Sequence, residues 1–264
     1  MQDFVTLEIK DRVAHVTLNR PDKRNSFNEK TIASLTKIFR SVELDPVVRV
    51  VLIKSTGPSF CAGADLEWMK KTKDYSEEEN LDDARALSQM LHRLNELPKP
   101  VVAMVQGPAF GGGVGLVACC DIVVASETAK LCLSEVKLGL SPATISPYVI
   151  SAIGASQARR YFLTAEVFDA HKAKELNLVH EVCKPENLTQ EVDKILNHLL
   201  ANGPEALAIT KSLVYLSSPP TNPKILDSTA RQIAAQRVGA EGQEGLQAFF
   251  EKRSANWVSS VHAK

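Results

Sequence analysis

The chain has no net charge. Lys and Arg together number 31, and so do Asp and Glu, across 264 residues. That balance removes the electrostatic argument for a nucleic-acid partner or an anionic membrane surface. No apolar run approaches the roughly 20 residues that span a bilayer, so no membrane association is expected. Met1 to Leu7 passes straight into an alternating pattern, with no basic region ahead of an apolar core. A secretory signal or Arg-rich transit peptide is therefore not read there, and a cytoplasmic location is expected. The five cysteines, Cys61, Cys119, Cys120, Cys132 and Cys183, are odd in number and show no CxxC spacing. This argues against disulfides and a zinc site, and reads as small buried thiols in a reducing compartment. His15, His92, His171, His180, His198 and His262 show no close paired spacing for a metal. A GxSxG elbow and a GxxxxGK[ST] loop are both missing, which excludes the usual serine hydrolase and P-loop readings. Internal repeats and low-complexity tracts are absent as well.

What is present is an ordinary hydrophobic share of 44% and a length that suits one large domain, or one domain with an appendage. Phe4–Ile9 and Val13–Leu18 read as a hairpin joined by Lys10 to Arg12. Ser26 and Glu29 have capping-box spacing ahead of Ile32, Leu35, Phe39 and Val42, a helical period ended by Asp45-Pro46. Val47–Lys54 is a β-branched run, hence a buried strand. Ser76 and Glu79 repeat the capping-box spacing before Leu81, Ala84, Leu87, Leu91 and Leu94. Pro98 and Pro100 close that helix, and Val101 opens another strand. This alternation predicts an α/β fold with parallel strands and right-handed crossovers, and ligands in such sheets collect after strand C-termini. From Asn187 onward the pattern is helical, over 188–201, 204–216, 224–237 and 241–252. Two regions are thus expected, a core over 1–186 and a helical C-terminal region over 187–264.

Two loops after strands carry the chemistry. Cys61-Ala-Gly-Ala-Asp65 is a small-residue loop. Gln106 to Asp121 contains Gly111-Gly-Gly113, placed where a strand-like run gives way to a small-residue helix. Glycine admits backbone close to a ligand, and a helix start leaves N–H groups unpaired. Such a turn holds an anion, or an oxygen that becomes one, or else is a tight turn against neighbouring backbone. Glu135 stands between apolar neighbours in Leu133-Ser-Glu-Val-Lys-Leu-Gly139. Burial raises a carboxyl pKa and suits it to proton transfer near neutral pH. The plainer reading is a surface Glu paired with Lys137.

Several ordered motifs together resemble the crotonase family, the enoyl-CoA hydratases and isomerases. They are Leu18-Asn-Arg-Pro21 with Asn25, Phe60 to Leu66, Lys99-Pro-Val-Val-Ala103, Gly107 to Asp121, Leu133-Ser-Glu135, Gly154 and Ala248-Phe-Phe-Glu-Lys-Arg253. The resemblance implies a crotonase-like spiral of ββα units with a helical C-terminal trimerisation region, and a homo-oligomer, either a trimer or a dimer of trimers. It implies an acyl-CoA thioester substrate, with CoA part of that substrate and no separate cofactor. By the same resemblance the backbone N–H groups of Ala64 and Gly112 form an oxyanion hole and Glu135 is catalytic. Arg24, Ala62, Asp65, Leu66, Phe249 and Lys252 would contact CoA or substrate.

One departure stands out. The common hydratases hold water between two glutamates, and the first falls here at Gly115. The run Leu133–Pro142 with Ile145-Ser-Pro147, together with Ala64-Asp-Leu-Glu-Trp-Met69 and Glu79–Ala84, is similar to bacterial methylglutaconyl-CoA and isohexenylglutaconyl-CoA hydratases. The resemblance then implies a 3-methylglutaconyl-type thioester with a free distal carboxylate. Arg85, His92, Lys70, Ser146 and Tyr148 are unranked candidates to meet it. Three alternatives remain at this level. One is a double-bond isomerase using Glu135 alone. Another is a CoA-thioester binder without a full acid–base pair. The third, RNA binding, is opposed by the zero net charge.

Overall fold

The computed structural model describes residues 3–217, 223–253 and 255. In chain order the elements are β1 (Val5–Lys10), β2 (Val13–Leu18), α1 (Glu29–Leu44), β3 (Val50–Ser55), α2 (Leu66–Lys73), α3 (Glu77–Asn95), β4 (Val101–Val105) and β5 (Ala109–Phe110). Then come α4 (Gly112–Ala118), β6 (Ile122–Ser126), β7 (Lys130–Cys132), α5 (Ser146–Thr164, interrupted at Gly154), β8 (Phe168–Asp169), α6 (Ala170–Glu175) and β9 (Glu181–Cys183). The C-terminal helices are α7 (Leu188–Leu200), α8 (Pro204–Ser217), α9 (Pro223–Val238) and α10 (Ala240–Phe250). The expected helical C-terminal elements are all present, each within a few residues of the predicted bounds. No helix among the described residues is long and apolar enough to cross a membrane.

The larger sheet has the order β1-β2-β3-β4-β6-β9. β1 and β2 are antiparallel, and every later pair is parallel. Asp11 and Arg12 both take positive φ in the hairpin turn, which matches the twist of the flanking strands. Val50 to Ile53 are buried without a break, as befits a parallel strand covered on both faces. One face packs on α1 and α3 through Leu35, Phe39, Leu91 and Leu94. The other, with Val50, Leu52, Val102 and Val124, packs on Leu188, Val192 and Leu196 of α7.

A smaller sheet runs β5-β7-β8. Strands β4 and β6 of the large sheet are each followed at once by a strand of this one and then by a helix, giving ββα turns. Earlier turns contribute single bridges to the same layer, Cys61 to Ala109 and Phe27 to Ala64. Successive turns of the chain therefore deliver Phe27, Ala64, the glycine turn and Leu131–Cys132 to one line.

One local expectation changes. The box at Ser26 and Glu29 does not form, because α1 begins at Glu29 and is capped by Asn28, whose Oδ1 accepts from Thr31 N–H. Residues before it are held extended, since Phe27 N–H donates to Gly63 O and Asp65 N–H donates to Phe27 O. α2, for which the sequence pattern gives no element, is a helix capped by Asp65 at the end of the Cys61–Asp65 loop. The box at Ser76 and Glu79 is complete.

Candidate functional site

The two small-residue loops meet because little but glycine fits where they touch. A Cβ on Gly113 would lie 2.4 Å from the Cys61 carbonyl oxygen. A Cβ on Gly63 would lie 3.1 Å from the Phe110 carbonyl oxygen. Phe110 N–H donates to Cys61 O at 2.9 Å, which pins the second loop to the first. Gly111 adopts φ +50°, a region that disfavours side chains. Gly112 is the first residue of α4, so its N–H has no partner within the helix. The N–H groups of Ala64 and Gly112 donate to no protein acceptor among the described residues. Both residues line a cavity of about 820 Å³.

Glu135 joins this meeting point. It opens a single 3-10 turn, Glu135–Leu138, just after β7. A Cβ on Gly111 would stand 3.1 Å from Glu135 Oε1, so the carboxyl lies directly against the glycine turn. Oε2 is buried with no hydrogen-bond partner among the described residues. Burial, opposed only by its own backbone N–H, pushes the carboxyl pKa up to about 7. The plainer sequence reading, an ion pair with the exposed Lys137, is not formed among the described residues. The turn is backed by α10, since a Cβ on Gly245 would overlap the Leu138 carbonyl at 2.0 Å.

The space beside Gly115 is occupied. A Cβ there would meet Ile145 Cγ2 at 2.3 Å and Ile145 Cβ at 2.8 Å. Ile145 also lines the cavity. An apolar side chain, not a second carboxyl, therefore stands at that position.

Asp65 is fully engaged by the fold. Its Oδ2 accepts from Arg20 at 2.8 Å, and its Oδ1 accepts from the N–H groups of Glu67 and Trp68. Burial works to raise its pKa, but the Arg20 guanidinium and the α2 N–H groups hold it below the usual carboxylate range. Asn25 adds a second clamp by donating to Thr56 O and Ser59 O while accepting from Arg20 N–H. Arg20 and Asn25 belong to motifs visible in the sequence, but their role as clamps, Arg20 on Asp65 and Asn25 on the preceding Thr56–Ser59 turn, is seen only in the fold.

Arg24, Ala62, Ala64, Asp65, Leu66, Gly112, Glu135 and Phe249 all line the cavity, whereas Lys252 lies outside its lining, just past the end of α10. Of the five residues considered for a distal carboxylate, only Lys70 lines it. Arg85 is bound to Asp227 at 2.7 Å. His92 lies 3.3 Å from Glu96 one turn away. Ser146 donates to Ala143 O, and Tyr148 is buried in the core. These four are turned to packing or surface pairs. The inner wall is mostly apolar, with Trp68, Leu87, Leu140, Ile233 and Leu246, and it includes one cation that the sequence reading missed, Arg237.

Comparison with known proteins gives this geometry a context. The enoyl-CoA hydratase/isomerase family model matches residues 8–260. The crystal structure of an enoyl-CoA hydratase from Shewanella pealeana aligns with a TM-score of 0.79 at 44% identity, over 96% of each chain. That of an enoyl-CoA hydratase from Mycobacterium avium aligns with a TM-score of 0.84 at 32% identity, over 98% of this chain and 100% of the other. The crotonyl-CoA hydratase of Syntrophomonas wolfei is 32% identical over 258 residues, which cover 97% of this chain and 98% of that protein. Matched over nearly its whole length, in sequence and in fold, the chain belongs to the enoyl-CoA hydratase/isomerase family.

Proposed function

We propose that the protein is a hydro-lyase that adds water across the C2=C3 bond of an enoyl-CoA thioester, with 3-methylglutaconyl-CoA or an isohexenylglutaconyl-CoA as substrate. The observation that carries the reaction is a buried carboxyl, Glu135, with Oε2 unpaired among the described residues, set against the glycine turn that presents the Gly112 N–H. The thioester oxygen sits between the N–H groups of Ala64 and Gly112. These donors are fixed in advance, and they bind the enolate oxygen more strongly than the ground-state carbonyl. As water oxygen bonds to C3, the Glu135 carboxylate takes its proton. The acid so formed returns a proton to C2 of the enolate, and the carboxylate is regenerated. A pKa of about 7 keeps both forms accessible near neutral pH. Arg24, exposed at the cavity mouth, meets a CoA phosphate. Ala62 and Leu66 pack on the adenine, and Phe249 packs on the pantetheine side. Lys252 contributes to CoA only if it comes from a neighbouring subunit, in a trimer or a dimer of trimers.

The substrate class rests on the likeness of 133–142 and 145–147 to methylglutaconyl-type hydratases and on cations in the wall, Lys70 and Arg237. A second reading, double-bond isomerisation, is favoured by Ile145 beside Gly115. One carboxyl suffices to carry a proton between C2 and C4. Incubation with 3-methylglutaconyl-CoA, crotonyl-CoA and a 3-enoyl-CoA, with products followed by mass spectrometry, separates the two. Hydroxyacyl-CoA from the 2-enoyl substrates supports hydration. Conversion of the 3-enoyl thioester alone supports isomerisation. Binding without turnover of any of the three leaves a CoA-thioester binder.

A further inference from the structure

Arg237 sits on α9 with its side chain 13% exposed, and it lines the cavity rather than the outer surface. Its Nη1 donates to Asp83 Oδ2 at 2.7 Å, and Asp83 is itself 11% exposed. Asp83 Oδ1 accepts from Trp68 Nε1 at 3.1 Å. The guanidinium lies over the Trp68 ring, 5.6 Å from its centre. The backbone is fixed too, because Gln243 Nε2 donates to the Arg237 carbonyl oxygen and to that of Lys73. Three helices, α2, α3 and α9, thus hold one cation at one orientation.

That orientation uses only part of its capacity. A guanidinium has five N–H donors in a planar fork. Nη1 is spent on Asp83, with Asn80 Oδ1 at 3.5 Å. Nε and Nη2 have no protein acceptor among the described residues, and neither is sealed from the cavity. A buried ion pair placed only for stability is commonly no better than a packed apolar pair, and the neighbouring wall residues Leu87, Ile233 and Leu246 are apolar. A second cation stands on the same cavity. Lys70 has its Nζ over the Phe250 ring 5.3 Å from the centre.

From this we infer that Arg237 is the specificity-determining residue that receives, through Nε and Nη2, a carboxylate at the far end of the acyl group. The inference rests on the glutaconyl-type reading above, but it is tested by binding rather than by turnover. The probes are glutaryl-CoA and butyryl-CoA, saturated thioesters that differ only by a carboxylate in place of one terminal methyl hydrogen, with dissociation constants measured by calorimetry. One charge-assisted fork is worth about tenfold or more in affinity. The wild-type protein is expected to prefer glutaryl-CoA by at least about tenfold. Arg237→Gln should bring the two dissociation constants within about threefold of each other, and Arg237→Lys, which keeps a charge against Asp83, should retain part of the preference. A folded state is checked by thermal denaturation, and if Arg237→Gln fails to fold, Arg237→Lys decides. Absence of any preference in the wild type overturns the inference. So does a preference that survives in folded Arg237→Gln or is undiminished in Arg237→Lys. If the preference depends on Arg237 while 3-methylglutaconyl-CoA is not hydrated, the inference stands and the proposed reaction falls.

Discussion

The contact between Gly115 and Ile145 makes a sharp prediction. Gly115→Ala places a Cβ 2.3 Å from Ile145 Cγ2 and 2.8 Å from Ile145 Cβ, both inside any real contact. Ile145 cannot swing clear, because a β-branched side chain is stiff and its Cβ is fixed to the backbone at the start of α5. Helix propensity alone would favour alanine by about 1 kcal/mol. Overpacking a well-filled site costs about 1–3 kcal/mol. With the backbone of α5 forced to move, the upper half of that range applies, so a net loss of about 1–2 kcal/mol is expected. Ile145→Ala alone costs about 2–5 kcal/mol by leaving a cavity. The two changes should couple, the double variant being about 1 kcal/mol or more better than the sum of the singles. Urea denaturation of the four proteins measures this directly. A Gly115→Ala protein as stable as wild type, or additive singles, would refute the packing argument. The same geometry predicts that Gly115→Glu does not restore a two-carboxylate site on its own.

Other expectations follow from the same distances. Asp65→Ala leaves Arg20 buried without its partner and removes the α2 cap, so stability should fall by about 3–5 kcal/mol in chemical denaturation. Gly111→Ala forces φ +50° on a residue with a side chain and crowds Glu135 Oε1 at 3.1 Å, so kcat should fall while binding of butyryl-CoA persists. The Glu135 carboxyl has a folded-state pKa of about 7 against an ordinary 4.5. The folded protein therefore holds that proton more tightly than the unfolded chain. The resulting stabilisation is fully present below 4.5 and lost as pH rises through about 7. Relative to wild type, Glu135→Gln should gain stability between about pH 5 and pH 8, read from denaturation midpoints.

The parts legible in the sequence were the local ones. Alternation gave the β1–β2 hairpin, Ser76 and Glu79 gave a real capping box, and Asn202-Gly203 marked the break between α7 and α8. The glycine triplet and the Cys61–Asp65 loop also reported their strained, close-packed backbone. What stayed hidden depends on residues distant along the chain. Ile145 fills the space beside Gly115 from thirty positions further on. Arg237 reaches Asp83 and Trp68 across more than 150 residues. No spacing rule records such a meeting. Ser26 misled because its cap competed with the Phe27–Ala64 bridge, a tertiary contact that keeps the chain extended up to Asn28. Glu135 looked like half of a Glu–Lys surface pair because its burial is supplied by the glycine turn and α10, far from it in sequence.

The central claim is that Glu135 alone moves the protons while backbone N–H groups hold the thioester. It is tested most directly by Glu135→Gln, assayed in parallel for hydration of an enoyl-CoA and for calorimetric binding of butyryl-CoA. The change keeps the shape and removes the titrating carboxyl. Turnover should fall by about 10²–10⁴-fold, with the dissociation constant within about threefold of wild type. Turnover near the wild-type rate, or equal loss of binding and turnover, would contradict it.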